Sequence, residues 1–308
     1  MKKFIKKTRR LRDFIMNDIW ELNLEELSRA RARFVKYLKV MVLTIKTFSS
    51  EKIGFQAVAL SFFSTMSVVP FVAIIFAITD GFGLDETLKG FLYQYFSNSQ
   101  QIIDTILGFA ENIITTAQGS AIGLVSALLF AWIVVWMMMN VERVFNNVWR
   151  VQKSRNLLKR LSVIIAMLLV SPFVVLVFFS GSVVYSHALG YLGLNVETFS
   201  VIKTILTWMS FASVATLTFS VMYKFIPNAQ VDYKIALIAA IPSGVAFAIM
   251  NYLYLETQVM VSRMNGIFGA FAAVPLFMVW INIGWFIILI GSELSYAFQN
   301  VDNYDIED

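Results

Sequence analysis

Residues 68–80 read "VVPFVAIIFAITD", and the reading of this stretch decides the fold. It closes an apolar run that extends from Phe55 to Thr79 without a charged residue. Such a run is longer than a core strand and shows no period-two alternation, so it is helical. Pro70 argues against an ordinary soluble helix, because proline removes a backbone donor and crowds the preceding turn. Membrane helices tolerate interior proline, and about 20 apolar residues suffice to cross hydrocarbon. The stretch therefore predicts a transmembrane helix.

Working outward, five more runs have the same character: Gly119–Met139, Leu161–Ser186, Val201–Met222, Ile235–Leu255 and Ala270–Leu294. Composition agrees. The 308-residue chain is 58% hydrophobic and 15% charged, with a mean hydropathy of +0.70. A soluble domain is typically about 45–50% apolar and about 25% charged. The expected fold is all-α: a polytopic membrane protein with six transmembrane helices. Residues 1–54 form a basic cytoplasmic N-terminal helical segment, 55–298 the transmembrane domain and 299–308 an acidic cytoplasmic tail. The basic opening "MKKFIKKTRR" lacks the apolar core and small-residue cleavage site of a signal peptide, so it is expected to be retained.

Lys and Arg set the expected orientation. They crowd residues 1–54, the segment with Arg143, Arg150, Lys153, Arg155, Lys159 and Arg160, and the turn with Lys224 and Lys234. Residues 80–118 hold only Lys89. Basic loops stay cytoplasmic, so both termini are expected inside. Between the first two spans, 81–118 carries apolar residues at helical spacing (Leu84, Leu88, Phe91, Leu92, then Ile102, Ile103, Ile106). These predict a pair of amphipathic outer-side helices, on the bilayer or packed against the ends of the spans. On the inner side, Asn23 and Glu26 suit a capping box before a basic helix, which predicts contact with anionic headgroups.

Chemistry-bearing motifs are scarce. There is no cysteine, so no disulfide or thiolate chemistry, and His187 is the only histidine. No Gly-rich loop ends in Gly-Lys-Ser/Thr. No catalytic residue, metal or cofactor is expected. Polar residues in or near the spans are costly in lipid: Asn282 and Glu293 in the last, Asn251 and Glu256 at the end of the fifth, Lys203 at the start of the fourth, and Asn140, Glu142, Asn146 and Asn147 after the second. They either bond helix to helix or line a cavity. Pro70, Pro172, Pro242 and Pro275 fall inside spans and predict kinked helices that splay around a space. Small residues, among them Gly244 and Gly291, allow close approach elsewhere.

Four stretches stand out: "AVALSFFSTMSVVP" (57–70), "VFNNVWRVQKSR" (144–155), "YKFIPNAQVDYKIALIAAIPSG" (223–244) and "IFGAFAAVPLFMVWINIGWFIILIGSEL" (267–294). Taken together they resemble the YihY/BrkB family of bacterial inner-membrane proteins. Asn146, Trp149, Arg155, Gly269, Trp280, Gly291 and Glu293 stand where the family pattern places them. Phe268 replaces a usual Tyr and Ser292 a usual Ala. The resemblance implies six transmembrane helices in a bacterial inner membrane with both ends inside. It also implies that an old ribonuclease label is a misassignment, and it points to lipid-like cargo through one branch linked to export of lipopolysaccharide precursors.

The expected function is a transporter, flippase or export factor for a lipid or lipid-linked envelope molecule. Asn146, Arg155, Tyr223 and Glu293 are expected at the inner mouth, with Asn282 as a further cavity candidate. Membrane lipids are the expected partners. The alternative is a non-transporting scaffold of an envelope complex with a protein partner. A ribonuclease reading has only the basic arm behind it, with no acid–base constellation, so no nucleic-acid partner is expected.

Overall fold

The computed structural model describes residues 19–21, 28–50, 52–95, 100–119, 121–153, 155–191, 200–262 and 266–303. Among the described residues the chain is helical, with no strand. Helix α1 (Arg29–Ser50) turns a corner at Lys52, where φ is 51°, into α2 (Ile53–Gly81). Then follow α3 (Asp85–Tyr95), α4 (Gln100–Gly119), α5 (Ala121–Val148) and α6 (Leu157–Tyr191). The chain closes with α7 (Ser200–Phe225), α8 (Tyr233–Ser262) and α9 (Gly266–Asn300). The expected capping box at Asn23 and Glu26 lies outside the described residues, as do the acidic tail beyond 303 and the side chains of His187 and Lys203.

Six helices, α2 and α5 to α9, are long and apolar enough to cross a membrane. Each expected span is present and runs longer than its apolar run. The second shows this best: helix continues from Met139 to Val148, so Asn140, Glu142, Asn146 and Asn147 lie on the span helix rather than beyond it. The outer faces are unlike those of a soluble bundle. Phe55, Val58, Phe62 and Met66 line one exposed stripe of α2, and Leu158, Leu161 and Ile165 mark another on α6. Hydrocarbon is the solvent these faces fit.

Helix α2 sits centrally, packed against α9, α5, α4 and α6, while α7, α8 and α9 pack in succession. In this second group the backbones come close. A Cβ on Gly244 would lie 2.9 Å from the Thr216 backbone nitrogen and 3.0 Å from the Ala212 carbonyl oxygen. One on Gly291 would lie 2.8 Å from Tyr223 Cζ. Pro70, Pro172, Pro242 and Pro275 all sit within unbroken helices. Pro70 and Pro172 are buried, whereas Pro242 and Pro275 face outward.

The expected pair at 81–118 is α3 and α4. It packs against the spans, the second of the two dispositions expected. Leu88, Ile103 and Leu107 bury against Ala73, Ile75 and Phe76 of α2. Lys89 ties α3 to Glu111 of α4 at 3.0 Å, and the Tyr93 hydroxyl donates to Asp104 at 2.6 Å. At the opposite, basic end α1 lies along the last part of α9. Val40 and Leu43 bury against Ala297 and Val301, and Lys36 pairs with Asp302 at 2.5 Å.

Candidate functional site

Two segments far apart in sequence dock at the basic end. Helix α5 stops in a Schellman arrangement: Arg150 N–H bonds the Asn147 carbonyl at 3.0 Å, and Val151 N–H the Asn146 carbonyl at 2.9 Å. The residue in the left-handed position is Arg150, with φ 51°, where glycine is usual. Its guanidinium stacks over the Tyr296 ring at 5.2 Å, a cation–π contact that holds the turn against α9.

This turn delivers Arg155 to the end of α7. Arg155 Nη1 donates to Ile226 O at 3.1 Å, and Nη2 to Phe225 O and Pro227 O, both at 2.9 Å. A guanidinium therefore satisfies carbonyls that the terminating helix leaves without an internal donor. Asn146 completes the junction. Its Oδ1 accepts from the Asn228 N–H at 2.7 Å, and Asn228 Nδ2 reaches Lys153 O at 2.9 Å. Asp232 then caps α8 by accepting from Lys234 N–H at 3.0 Å, and the Asp232 N–H donates to Gln299 Oε1 of α9 at 3.0 Å.

One turn into the bundle lies an ion pair. Arg160 Nε bonds Glu142 Oε2 at 2.7 Å, and its Nη2 donates to the Met139 carbonyl at 2.7 Å. The Glu142 side chain is buried, at 6% exposure, and that of Arg160 is partly buried, at 13%. The pair joins α5 to α6, consecutive helices that otherwise meet little. The other carboxylate oxygen, Glu142 Oε1, is buried with no hydrogen-bond partner among the described residues. A narrow, almost wholly apolar cleft lies between these helices, lined by Met138, Val141, Val163, Ile164, Met167 and Ile226 together with Glu142 and Arg155. It has room for on the order of one water molecule.

The sequence-derived candidates thus divide. Asn146 and Arg155 meet at the junction. Tyr223 is two residues inside it but fully buried, its ring stacked with Phe219 at 6.3 Å and its hydroxyl facing Ser243 across Gly291. Glu293 is fully buried in the body of α9. Asn282, higher on α9, donates to Ser61 Oγ of α2 at 3.4 Å, next to a 2.8 Å bond from Trp285 Nε1 to Ser64 Oγ. Asn251 accepts from Trp280 Nε1 at 3.2 Å. Asn282 and Asn251 therefore make helix-to-helix bonds, one of the two roles expected for polar residues in spans. Arg160 is the participant that sequence reading passed over, because a basic residue at the foot of a span reads as topology. The available signal was Glu142, an acid on an apolar helix that needed a basic partner.

The chain matches the family model described as Virulence factor BrkB over residues 44–308. A UPF0761 membrane protein of Janthinobacterium sp. (strain Marseille) is 28% identical over 266 residues, which cover 82% of this chain and 58% of that protein. One from Paraburkholderia xenovorans (strain LB400) is 26% identical, over 89% of this chain and 63% of its own. One from Mannheimia succiniciproducens is 24% identical, over 80% and 85%. The chain thus spans under two thirds of the length of the first two relatives. No solved structure matches the chain.

Proposed function

The chain belongs to the Virulence factor BrkB family, and on that premise we propose that it is a bacterial inner-membrane protein that handles a lipid or lipid-linked envelope molecule, as a transporter, flippase or export factor. The observation that carries this reading is the charged seam between α5 and α6. Glu142, Arg160 and Arg155 stand among apolar helices, beside a cleft and next to the exposed leucines of α6. Ionisable groups on spanning helices are costly and are candidates for a functional pathway. A phosphate-bearing amphiphile would find guanidinium groups there and apolar walls beside them.

On this reading the basic end, with α1, the 149–160 turn and the α7–α8 turn, faces the cytoplasm, and the α3–α4 pair faces out. The basic face of α1 meets anionic headgroups. The protein moves or holds molecules rather than converting them, and with no nucleotide-binding motif any movement is downhill, ion-coupled or driven by a partner. Asn146 and Arg155 belong to the mouth, whereas Tyr223, Asn282 and Glu293 stiffen the bundle behind it.

The test is transbilayer movement. Vesicles holding the purified protein and a fluorescent phospholipid are treated with a membrane-impermeant reductant. Movement brings the signal below the half expected from the outer leaflet alone, and Arg155→Ala slows it. A signal that stays at half, together with unchanged envelope composition in depleted cells, overturns the proposal. One observation favours a second reading, a non-transporting scaffold. The core behind the seam is filled by Phe145, Trp149, Phe219, Tyr223 and Leu289. Under that reading the purified protein carries an envelope protein partner and moves no lipid.

A further inference from the structure

We propose that α1 is an interfacial membrane helix, sunk into an anionic leaflet along one apolar stripe at the boundary between headgroups and acyl chains. The proposal goes beyond the lipid-handling reading and shares with it only the placement of the basic end at the cytoplasmic leaflet.

The stripe comes first. One face of α1 is used up by the fold: Val40, Leu43, Thr44 and Thr47 are buried, the first two against Ala297 and Val301 of α9. About a third of a turn round the helix lies a second apolar face. There Phe34, Tyr37, Met41 and Ile45 follow one another at helical spacing and are 53% to 69% exposed. Helix α1 is not among the six helices long and apolar enough to cross a membrane, so the stripe is not the flank of a further span. An exposed apolar face with basic flanks suits the plane of a membrane surface.

Charge says which surface. Helix α1 holds no acidic residue. Arg29, Arg31, Arg33, Lys36 and Lys39 crowd its first half, while the second half, to Ser50, holds only Lys46. The three arginines are exposed. Guanidiniums bond phosphate oxygens, and each basic group near an anionic leaflet adds to the attraction. A second copy of α1 would set like charges against these, so anionic lipid is the better complement.

Continuity says how deep. Towards its end α1 brings Phe48 to Phe286 of α9, ring centres 5.9 Å apart, about two turns inside Leu294, where the apolar run of α9 closes. Near its start Lys36 pairs with Asp302, past the end of α9. After the corner at Lys52 come Phe55 and Val58, the first members of the hydrocarbon-facing stripe of α2. The stripe of α1 therefore leads towards a lipid-facing surface, with Ile45 deepest and Phe34 shallowest. Lys46 has the reach to bring its ammonium up to the headgroups.

The experiment uses the absence of cysteine from the chain. Phe34→Cys, Met41→Cys and Ile45→Cys on the stripe, and Arg33→Cys beside it, are each made in the full chain and spin-labelled. The proteins are placed in phosphatidylglycerol vesicles with oxygen, which concentrates in hydrocarbon, or with a water-soluble nickel chelate on both sides of the membrane. Insertion in either direction then gives the same reading. The expected result is that oxygen relaxes the three stripe labels several-fold more than nickel does, Ile45 most of all, while nickel dominates at Arg33. Exchanging phosphatidylglycerol for phosphatidylcholine shifts the Phe34 label about twofold towards nickel and leaves Ile45 unmoved, because the arginines flank only the first half. Nickel dominating along the whole stripe places α1 in water. Shielding of the stripe from both probes places protein on it, a second copy or another stretch of chain. Either result overturns the proposal, and a Phe34 label indifferent to lipid charge overturns its anionic part. Lipid movement enters none of these readings, so a protein that moves no lipid can still hold α1 in this way, and a transporter can fail to.

Discussion

Between α7, α8 and α9 the helices approach until a methyl group has no room; between α5 and α6 they part around a carboxylate and two guanidiniums. Both regions face the same difficulty. In hydrocarbon, apolar side chains gain nothing by leaving the solvent, so helices associate through close contact or through polar bonds. The first region uses contact: Gly244 against Thr216, Gly291 against Tyr223, Ala236, Ala239 and Ala240 buried. The second uses a salt bridge and an arginine cap. Close contact leaves one arrangement available. A polar seam can exchange a bond for one to a ligand, which is why the candidate site lies there.

Substitutions can break or sharpen that contrast. Arg160→Ala is expected to act most strongly, because it leaves Glu142 charged and buried without its partner, at about 3–5 kcal/mol. Thermal unfolding in detergent checks this, and Glu142→Gln combined with Arg160→Gln recovers much of the loss. An unchanged melting point for the single variant would mean that the ion pair does not hold the seam.

Added volume at the contact region comes next. Gly244→Val drives a side chain into the backbone of α7 and is expected to destabilise by about 1–3 kcal/mol. Gly108→Ala on α4, where a Cβ meets nothing within 4 Å, is the control and leaves the melting point unchanged or slightly raised. If both glycines tolerate the change equally, the contact region is looser than described.

Arg155→Lys should cost about 1–2 kcal/mol, since an ammonium cannot reach the Phe225, Ile226 and Pro227 carbonyls together. Faster amide exchange at 226–229 reads it out.

The smallest effect lies at the far end. A hydrogen bond to Glu111 holds the Lys89 ammonium above its usual value of 10.5, against some desolvation. Its folded pKa exceeds its unfolded one, so the α3–α4 tie is fully present below pH 10.5 and is lost as pH rises through the higher folded value. The distance between labels on α3 and α4 should widen only in the alkaline range; Lys89→Met should reduce the dependence, and only with Tyr93→Phe, which removes the phenol that donates to Asp104, should it vanish. Widening near neutral pH would show that another group controls the pair.

Much of the architecture was legible in the residues. The six runs announced six spans, and the period of 81–118 announced α3 and α4. The basic segments marked the end where the junction forms. Span ends were less legible, because Asn140, Glu142, Asn146 and Asn147 look like a loop once hydropathy falls. In the continued helix the α7–α8 turn and Arg160 supply partners for Asn146 and Glu142, Asn140 bonds within its own helix, and Asn147 is exposed. Among the candidates, Asn146 and Arg155 came out beside each other, whereas Tyr223 and Glu293 went into the packed interior. Polarity alone does not say whether a side chain faces a cleft or a neighbouring helix.

By itself, then, the order of residues determined what is local or additive: how many helices, how apolar, and which ends are basic. Those follow from backbone hydrogen bonding in hydrocarbon and need no knowledge of neighbours. Only the tertiary structure decided that Arg160 belongs to Glu142, that Arg155 caps α7 across some seventy positions of chain, and that Asn146 bonds the Asn228 N–H. Those depend on which helix lies against which, and in lipid that choice is made by a few close contacts and polar bonds rather than by hydrophobicity spread along the chain.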